Sequence, residues 1–361
     1  MMKRAKLYKR LTNDKVLCLA CSWYCKIDID KVGICATRLN KEGVLYSLVY
    51  GKAMGLHLDP VEKKPLYHFL PSSKIFSFGT VGCNFGCLFC QNWDMSQINK
   101  SQIPNPEPSC RGGRSQIHEN MLINLIDDMS VTISPKEIVR RAKETGAKGI
   151  AYTYNEPAIF VEFTHDTAIL AKKEGLKNIY VSNGFESDET FKYIRDYIDA
   201  INIDLKSFSK DYYIKVCKAK IEPVLNNIKK FFQIGVETEV TTLIVPGLND
   251  SKKELKSIAE FLVSVSSDIP WHVSAFYPTY KMTDIFPTPH STLVNAYNIG
   301  KKAGLKYIYI GNIRDTVRSS TFCPKCGQCL IKRDGYDVKI DMDLGKGKCS
   351  KCAEKIYGVW K

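Results

Sequence analysis

Three closely spaced cysteines, Cys83, Cys87 and Cys90, are the residues of this chain best suited to chemistry. Their spacing is C-x3-C-x2-C, with Phe89 just before the last of them. Thiolates are the usual ligands of iron–sulfur clusters, and a [4Fe–4S] cluster normally takes four of them. No fourth cysteine follows nearby, so three thiolates would leave one iron open for an exogenous ligand. The alternatives are a structural zinc site that lacks one ligand and three buried thiols.

A second group of cysteines with metal-ligand spacing lies near the N-terminus. Its pattern is C-x2-C-x3-C-x9-C, and it comprises Cys18, Cys21, Cys25 and Cys35. Four soft ligands within so short a stretch suit Zn²⁺ or an iron–sulfur cluster. A cysteine-rich cap with unbound thiols is the alternative. We expect a metal site here, with the identity of the metal open.

A third group, near the C-terminus, consists of two CxxC pairs, Cys323 with Cys326 and Cys349 with Cys352. The arrangement is close to the C-x2-C-x15–20-C-x2-C pattern of zinc ribbons, with a slightly longer arm. It predicts a structural zinc site. Cys329 either competes with Cys326 or is not a ligand.

The composition indicates a globular protein of a reducing compartment. The chain has 361 residues, 44% of them hydrophobic, and 14 cysteines. Where disulfides are disfavoured, clustered cysteines indicate metal ligation. No apolar run is long enough to span a membrane, and no signal-peptide pattern follows the basic N-terminus. We therefore expect a cytoplasmic protein without a membrane partner.

The formal net charge of +14 raises the question of a nucleic-acid partner. Lysine and arginine are nevertheless spread over predicted helix faces, where they alternate with glutamate and aspartate. No stripe combines basic and aromatic residues. This distribution favours a lysine-rich surface over a nucleic-acid interface.

The elements that must position these cysteines alternate between strand and helix. Apolar runs predict strands at about 75–81, 149–154, 178–183, 200–205, 236–245 and 271–276, with a further strand at about 306–311. The first long helix has a strong start, with Ser134 as N-cap, Pro135 at the first helical position and Glu137 completing a capping box. This alternation predicts an α/β fold with a parallel sheet, and the absence of a GxGxxG fingerprint favours a barrel or partial barrel.

The chain divides into three predicted parts. Residues 1–74 form a cysteine-rich N-terminal cap and an extended connector, residues 75–320 form the core, and residues 321–361 form a zinc-ribbon-like unit. A polar segment at about 97–131, rich in proline and glycine, interrupts the core. We interpret it as an insertion, with a short helix near 120–128, because so long a loop is uncommon in a compact domain.

Polar residues stand at the ends of three consecutive predicted strands, where a buried core would not favour them. They are Asn155 and Glu156, then Ser182 and Asn183, then Asp204 and Lys206. In barrel folds the chemistry gathers at the C-terminal ends of the strands, and the Cys83 loop follows the first strand. A carboxylate such as Glu156 suits an ammonium group, Asp204 suits ribose hydroxyls and Lys206 suits a carboxylate.

Taken together, these motifs resemble one family. The C-x3-C-x2-C spacing resembles the signature of radical S-adenosylmethionine (SAM) enzymes. The chain as a whole is similar to the AmmeMemoRadiSam-system radical SAM enzyme, a relative of pyruvate formate-lyase activating enzyme. The segments that carry this likeness are Gly79-Thr80-Val81-Gly82-Cys83-Asn84, Cys90-Gln91-Asn92-Trp93, Tyr152-Thr153-Tyr154-Asn155-Glu156-Pro157, Asn202-Ile203-Asp204-Leu205-Lys206, Val245-Pro246-Gly247-Leu248-Asn249-Asp250 and Tyr309-Ile310-Gly311-Asn312.

The resemblance implies a partial (β/α)6 barrel, a [4Fe–4S] cluster on the three central cysteines and SAM as cofactor. Residues 155–157 stand where related activases bind the amino group of SAM, and Asp204 with Lys206 matches an Asp-Leu-Lys element. The chain departs from the activases at Val181, where they carry aspartate. It also departs near the sixth strand, where their histidine has no counterpart at the strand's end; we interpret His272, at its start, as a packed core residue.

The family's name makes AMMECR-type and Memo-type proteins expected partners, together with an electron donor such as flavodoxin or ferredoxin. The leading hypothesis is reductive cleavage of SAM to a 5′-deoxyadenosyl radical that abstracts hydrogen, with a glycyl-radical-enzyme activase as one version. Radical modification of a peptide or small molecule is the other version. A non-catalytic iron–sulfur or zinc module is the contrasting class.

Overall fold

The structure of this protein, a computed structural model, describes residues 2–97 and 119–361. Most of the insertion predicted at 97–131 lies outside these residues. Two compact units are present, the first formed by Met1–Leu58 and Ile75–Asp199 and the second by Asp59–Lys74 and Ala200–Lys361. The three-part division predicted from the sequence stays a prediction.

The first unit combines short N-terminal strands with the beginning of the strand–helix alternation. Its strands are β1 (Lys3–Arg4), β2 (Tyr8–Arg10), β3 (Val16–Cys18), β4 (Lys26–Ile27), β5 (Arg38–Lys41), β6 (Val44–Ser47), β7 (Lys52–Pro60), β8 (Lys74–Gly79), β9 (Val131–Thr132), β10 (Gly149–Tyr152) and β11 (Lys177–Ser182). Its helices are α1 (Trp93–Ser96), α2 (Glu119–Met129), α3 (Pro135–Glu144), α4 (Val161–Lys173) and α5 (Asp188–Ile194). Two short 3₁₀ turns cover Thr12–Asp14 and Pro157–Phe160.

Three strands of the first unit, β8, β10 and β11, run parallel in the order of the chain. Tyr152 on β10 pairs with Phe78 on β8 and with Tyr180 on β11. All three of these side chains are buried. The register brings the C-terminal ends of the three strands to one edge, and the loop that carries Cys83 leaves from that edge. The strands predicted at about 75–81, 149–154 and 178–183 are thus confirmed.

Helix starts in this unit follow from local hydrogen bonding. The Ser134 hydroxyl accepts from the backbone N–H of Glu137 at 3.2 Å, and Pro135 occupies the first turn of α3. An N-cap of this kind satisfies one of the N–H groups that a helix start leaves unpaired. Ser187 caps α5 in the same way, through Thr190. The predicted start of α3 is confirmed, and so is the short helix near 120–128, as α2.

The second unit continues the alternation and ends in a small antiparallel domain. Its strands are β12 (Ala200–Asp204), β13 (Glu237–Ile244), β14 (Trp271–Ala275), β15 (Ile308–Gly311), β16 (Thr321–Phe322), β17 (Cys329–Asp334), β18 (Asp337–Ile340), β19 (Met342–Asp343) and β20 (Lys348–Cys349). Its helices are α6 (Lys210–Tyr212), α7 (Glu222–Gln233), α8 (Lys252–Val265) and α9 (His290–Ala303), with a 3₁₀ turn at Val61–Lys63 and a π turn at Tyr213–Cys217.

Strands β12 to β15 are parallel and again follow chain order. Asp204 at the end of β12 pairs with Thr241 on β13, and Ala275 at the end of β14 pairs with Ile244. Strand β15 pairs with β14 through Ser274 and Gly311. The four strands predicted in this part of the chain are confirmed. Sequential parallel strands joined by helices form the α/β partial barrel that the sequence predicted.

Strand β7 corrects one prediction. Within residues 1–74, the sequence predicts the extended connector at 52–74, where two prolines and several charges lie. Instead Lys52–Pro60 is the longest strand of the first unit, and its neighbours in the sheet are β8 and β9. Gly55 lies on the strand at positive φ, where an added Cβ would stand 2.8 Å from Tyr154. Glycine has a low preference for strands, but at this position it lets the backbone pass close to Tyr154.

No helix in the described part of the chain is long and apolar enough to cross a membrane.

Candidate active site and metal centres

The Cys83 loop begins where β8 ends, and two glycines shape its first turn. A Cβ on Gly79 would stand 2.5 Å from the carbonyl oxygen of Thr153, so only glycine lets the two strand ends come this close. Gly82 adopts a φ of +89°, and a Cβ there would stand 2.5 Å from the carbonyl oxygen of Cys35. Its N–H donates to the carbonyl of Met95 at 2.9 Å. The loop is therefore held tightly on both sides of its first cysteine.

Asn155 fixes the same turn from the neighbouring strand end. Its side-chain Nδ2 donates to the Gly82 carbonyl at 2.8 Å and to the Thr80 hydroxyl at 3.0 Å. Its Oδ1 accepts from the backbone N–H of Thr80 at 3.3 Å. The sequence predicted that Asn155 would contact a cofactor. The structure shows its amide holding the loop, and the cofactor contact stays a prediction.

The three thiols differ in access. Cys83 and Cys87 are buried, whereas Cys90 is half-buried. The Cys83 sulfur accepts from the N–H of Phe85 at 3.4 Å, and the Cys90 sulfur lies 3.0 Å from the Ser96 hydroxyl. Backbone N–H groups aimed at sulfur favour the thiolate form that a metal requires. One loop thus offers three thiols, which fits a cluster with one open iron.

Glu156 is a buried carboxyl group beside a second one. It is 0% exposed, and its oxygens accept from the N–H groups of Ala158 and Asn183 at 3.0 and 2.8 Å. The Ser182 hydroxyl lies 3.1 Å from both of those oxygens and 2.7 Å from Glu186 Oε1. One hydroxyl has one proton, so it cannot donate to both carboxylates at once. A proton on one of the two carboxyl groups would resolve this conflict, because that group could then donate to the hydroxyl.

The pKa of Glu156 agrees with a protonated carboxyl group. Burial and, to a lesser extent, the nearby charge of Glu186 together raise it from 4.5 to about 8. Desolvation and a like charge both disfavour the ionised form. A cation placed beside this pair would reverse the shift, since it favours the ionised form. The pair is therefore chemically suited to an ammonium group.

Asn183 connects this carboxyl pair to the cysteine loop. Its backbone N–H donates to Glu156, while its side-chain Nδ2 donates to Asn84 Oδ1 at 2.8 Å. Its Oδ1 in turn accepts from the N–H of Phe185 at 3.1 Å. Asn84 follows Cys83 directly. Glu156, Ser182 and Asn183, which the sequence predicts from two different strand ends, thus belong to one hydrogen-bonded arrangement with Asn84.

In the second unit, Asp204 and Lys206 form an ion pair at the end of β12. Lys206 Nζ lies 2.9 Å from Asp204 Oδ2, and the backbone N–H of Lys206 donates to the Tyr213 hydroxyl at 3.1 Å. Asn249 Nδ2 donates to the Lys206 carbonyl at 2.7 Å. The structure therefore brings these two predicted residues together and fixes the backbone between them. Their roles toward SAM stay predictions.

A buried ionic cluster in the second unit was missed from sequence. Glu239 on β13 is 0% exposed; it accepts from the N–H of His68 at 2.7 Å and lies 2.5 Å from His272 Nε2. His68 also lies 2.6 Å from the Tyr309 hydroxyl. The one signal was a pair of glutamates, Glu237 and Glu239, at alternate positions of a strand that has no other charged residue. His272 is buried, as its interpretation as a packed residue required.

Four C-terminal thiols converge as a metal-ligand set. The sulfurs of Cys323, Cys326, Cys349 and Cys352 all lie within 4.8 Å of one another. Cys323 stands 3.6 Å from Cys352, and Cys326 stands 3.7 Å from Cys349. Cys329 lies outside this set, so the geometry favours Cys326 over Cys329 as the ligand.

The two knuckles of this set are alike. The N–H of Gly327 donates to the Cys323 carbonyl at 3.0 Å, and the N–H of Ala353 donates to the Cys349 carbonyl at the same distance. Gly327 and Ala353 both adopt positive φ. The resulting turns direct both thiols of each CxxC pair to one point.

All four N-terminal cysteines are buried, with Cys18, Cys21, Cys25 and Cys35 between 5% and 8% exposed. Burial raises the pKa of Cys18 to about 11. The Thr37 hydroxyl donates to the Cys35 sulfur at 3.1 Å. Four thiols gathered away from water fit a metal site, and their ligand role stays a prediction.

Fold and site together define a class: an α/β partial-barrel enzyme with a three-cysteine loop at the C-terminal edge of its parallel strands. The family model described as "Radical SAM superfamily" matches residues 78–262. This match covers more than half of the chain, and the protein belongs to the radical SAM superfamily. Membership implies a [4Fe–4S] cluster and SAM, and the fold is a radical SAM partial barrel.

Relatives of known sequence agree with this assignment. An uncharacterized protein of Methanocaldococcus jannaschii is 40% identical over 98% of this chain and 99% of its own length. The pyruvate formate-lyase-activating enzyme of Staphylococcus epidermidis is 22% identical over 60% of this chain and 85% of its own. The benzylsuccinate synthase activating enzyme of Thauera aromatica is 23% identical over 36% of this chain and 41% of its own. The protein is thus homologous to glycyl-radical-enzyme activases.

Solved structures give more distant similarities. A domain of pyruvate-formate lyase-activating enzyme from Bacteroides vulgatus has a TM-score of 0.42 at 20% identity, covering 46% of this chain and 100% of that domain. Streptococcus suis SuiB bound to precursor peptide SuiA has a TM-score of 0.47 at 13% identity, covering 70% of this chain and 51% of that one.

Proposed function

We propose that this protein cleaves SAM reductively and uses the resulting radical to abstract hydrogen from a protein substrate. The observation that carries the proposal is the loop of Cys83, Cys87 and Cys90, held at the strand edge by Asn155 and both glycines. Three cysteine ligands leave one iron of a [4Fe–4S] cluster open, and SAM is the ligand that the superfamily implies.

When bound, the cluster and SAM supply one-electron chemistry. With an electron from a flavodoxin- or ferredoxin-type donor, they would allow reductive cleavage of SAM between its sulfur and 5′ carbon to methionine and a 5′-deoxyadenosyl radical, which would take up a hydrogen atom from the substrate as 5′-deoxyadenosine. The protein's share is to hold and orient these groups.

The residues of the first unit have distinct tasks in this proposal. The three thiolates hold the cluster, and Asn155 keeps their loop in place. Glu156 takes the ammonium of SAM, because a buried carboxyl pair that holds an extra proton gains a favourable partner when a cation arrives. Ser182 and Asn183 keep that carboxyl oriented. In the second unit, Asp204 is assigned to ribose hydroxyls and Lys206 to the carboxylate.

A protein substrate is proposed because two of the reported relatives are activating enzymes of glycyl radical enzymes. Membership of the AmmeMemoRadiSam system, with AMMECR-type and Memo-type proteins as partners, belongs to the same proposal and rests on the sequence motifs. Modification of a peptide or small molecule is the second version. A glycyl radical detected by EPR on a partner protein separates the two versions.

The C-terminal thiols are proposed to hold a structural zinc ion. Around one Zn²⁺, thiolates lie about 2.3 Å from the metal and therefore about 3.8 Å from one another. The two measured sulfur pairs, at 3.6 and 3.7 Å, already have this spacing. The site also lies in a hydrophobic core that includes Leu330, Ile331 and Trp360, so the metal would support folding.

The decisive experiment is anaerobic. The purified chain is reconstituted with iron and sulfide, reduced with dithionite and mixed with SAM, and 5′-deoxyadenosine is quantified. We expect product from the wild type and from Cys329→Ala, which changes a cysteine outside the converging set. We expect none from Cys87→Ala. An intact cluster without product in the wild type would contradict the proposal and favour a non-catalytic module.

A further inference from the structure

We infer that Cys18, Cys21, Cys25 and Cys35 hold a second iron–sulfur cluster, ligated entirely by cysteine and built against the loop that carries Cys83. The inference does not require the proposed activity. It rests on how the two cysteine loops touch, on one buried amide group and on the spacing of the thiols.

The N-terminal cysteine segment contacts the Cys83 loop on both sides of Cys83. On one side, Gly82 approaches the carbonyl of Cys35 so closely that a Cβ would stand 2.5 Å from it. On the other side, Trp23 Nε1 donates to the Asn84 carbonyl at 2.9 Å. Trp23 lies between two of the N-terminal cysteines in sequence. Residues on either side of Cys83 are thus fixed by the N-terminal group.

The same group is also anchored to the strand edge of the glutamate pair. Cys21 forms a β-bridge with Glu186, and the N–H of Ser22 donates to the Phe185 carbonyl at 3.0 Å. The hydroxyl of Thr190 donates to the carbonyl of Ala20 at 2.7 Å. The N-terminal cysteine segment is therefore anchored beside the glutamate pair of the candidate active site.

Asn84 provides an independent sign of a ligand. It is 1% exposed, and its Oδ1 accepts from Asn183, which directs Nδ2 the other way. That Nδ2 is buried and finds no hydrogen-bond acceptor among the described residues. A thiolate or sulfide that carries negative charge would supply the missing acceptor, as hydrogen bonds to sulfur do in iron–sulfur sites.

The spacing of the thiols favours a cluster over one zinc ion. A single Zn²⁺ draws its thiolates to about 3.8 Å from one another, and the C-terminal set shows this compact arrangement. Within the described residues, the N-terminal four do not form a group whose sulfurs all lie within 4.8 Å, and neither do Cys83, Cys87 and Cys90. An iron–sulfur core is larger than one ion and takes thiolates that stand further apart. Within the described residues, the N-terminal set and the cluster loop thus both lack the compact spacing of the C-terminal thiols.

Complete ligation gives this second cluster a distinguishing property. Four cysteines leave no iron open, so SAM cannot coordinate it. The cluster at Cys83 would respond to SAM, and the N-terminal cluster would not. This difference separates the two centres spectroscopically.

The test uses the full chain, purified anaerobically from cells supplied with iron and zinc. The triple variant Cys83→Ala, Cys87→Ala, Cys90→Ala is expected to retain about two or about four irons with equal sulfide, and one zinc. After reduction its EPR signal should not change when SAM is added. Adding Cys21→Ser to this variant should remove the iron, whereas adding Cys329→Ser should not. Retained zinc at the C-terminal site shows that each variant is folded.

Three outcomes would overturn the inference: a folded triple variant without iron, a second zinc ion in place of iron, or an EPR signal that shifts with SAM. Metal analysis of the wild type provides a check without substitutions. Two clusters and one zinc support the inference, and iron for one cluster alone contradicts it. Because 5′-deoxyadenosine is measured separately, an inactive wild type with two clusters would refute the proposed function and leave this inference standing.

Discussion

The side chain of Asn155 donates to the carbonyl oxygen of Gly82 at 2.8 Å. One strand end thereby holds the turn from which the neighbouring strand's cysteine loop departs. The same amide nitrogen donates to the Thr80 hydroxyl, and its oxygen accepts from the Thr80 N–H. A single side chain therefore bonds three polar groups at the start of the loop: the Gly82 carbonyl, the Thr80 hydroxyl and the Thr80 N–H.

Replacing Asn155 with alanine should loosen the cluster loop while leaving the fold intact. The change leaves partly buried donors and acceptors without partners, which costs about 1–3 kcal/mol. We expect iron to be lost several-fold faster on dilution and 5′-deoxyadenosine formation to fall accordingly. Asn155→Asp is the matched control, because it keeps the acceptor for Thr80 and loses the donors to Gly82 and Thr80. Iron retention equal to the wild type in both variants would show that the amide does not hold the loop.

The pH dependence of stability should reveal the proton held by Glu156. Its folded pKa of about 8 lies above the ordinary value of 4.5. The stability contributed by this group is therefore fully present below about pH 4.5 and is lost as the pH rises through about 8. We expect the free energy of unfolding of the metal-free protein, measured in urea, to fall over this range.

Glu156→Gln should flatten that slope, because the amide does not titrate. Its absolute stability should be lower, since an NH₂ group, which accepts no hydrogen bond, replaces one of the two oxygens that accept from Ala158 and Asn183. Glu137→Gln is the control: Glu137 is paired with Arg140, which together with Arg141 lowers its pKa to about 2, so it stays ionised over the whole range. An unchanged slope in Glu156→Gln would place the proton on another group.

Much of the fold could be predicted from local patterns. The parallel strands are short apolar runs between clear helix signals, and Ser134, Ser187 and Ser251 cap helices through hydrogen bonds to residues three positions on. The cysteine groups were visible because metal ligands follow fixed spacings. Such features depend on neighbours in sequence, so one sequence is enough to find them.

What the sequence did not reveal depends on residues far apart in the chain. Glu239 meets His272 and His68 only after the strands have aligned, and Asn155 reaches Gly82 across two strand ends. Strand β7 was missed because the prolines and charges at 52–74 suggest a connector, while its partners β8 and β9 stabilise a strand. Tertiary context overrides local propensity in such cases.

Removing the C-terminal metal should destabilise the second unit. Cys352→Ser removes one of four converging thiols, and we expect loss of zinc and a destabilisation of about 4 kcal/mol or more, since structural zinc contributes folding free energy. Cys329→Ser should keep its zinc and nearly all of its stability. Zinc is counted by elemental analysis and unfolding is followed in urea. Full stability of zinc-free Cys352→Ser would show that the site has no structural role.

The buried ion pair of Arg38 and Glu162 should be far more sensitive to truncation than a surface pair. The two side chains are 1% and 2% exposed, and their two hydrogen bonds measure 3.1 and 2.7 Å. Arg38→Leu would leave the Glu162 carboxylate buried without its guanidinium, which costs about 3–5 kcal/mol. The added Glu162→Gln change should restore part of this loss, because it removes the buried charge.

Arg140→Leu is the matched control for this pair, because Arg140 bonds Glu137 and Glu144 on an exposed helix face and should lose about 0–1 kcal/mol. Arg38 also lies close enough to Cys18 to lower its pKa. Arg38→Leu should therefore weaken metal retention by the N-terminal cysteines, while Arg140→Leu should not. Equal losses of stability in the two arginine variants would contradict the assignment of Arg38 as a buried structural partner of both Glu162 and the N-terminal thiols.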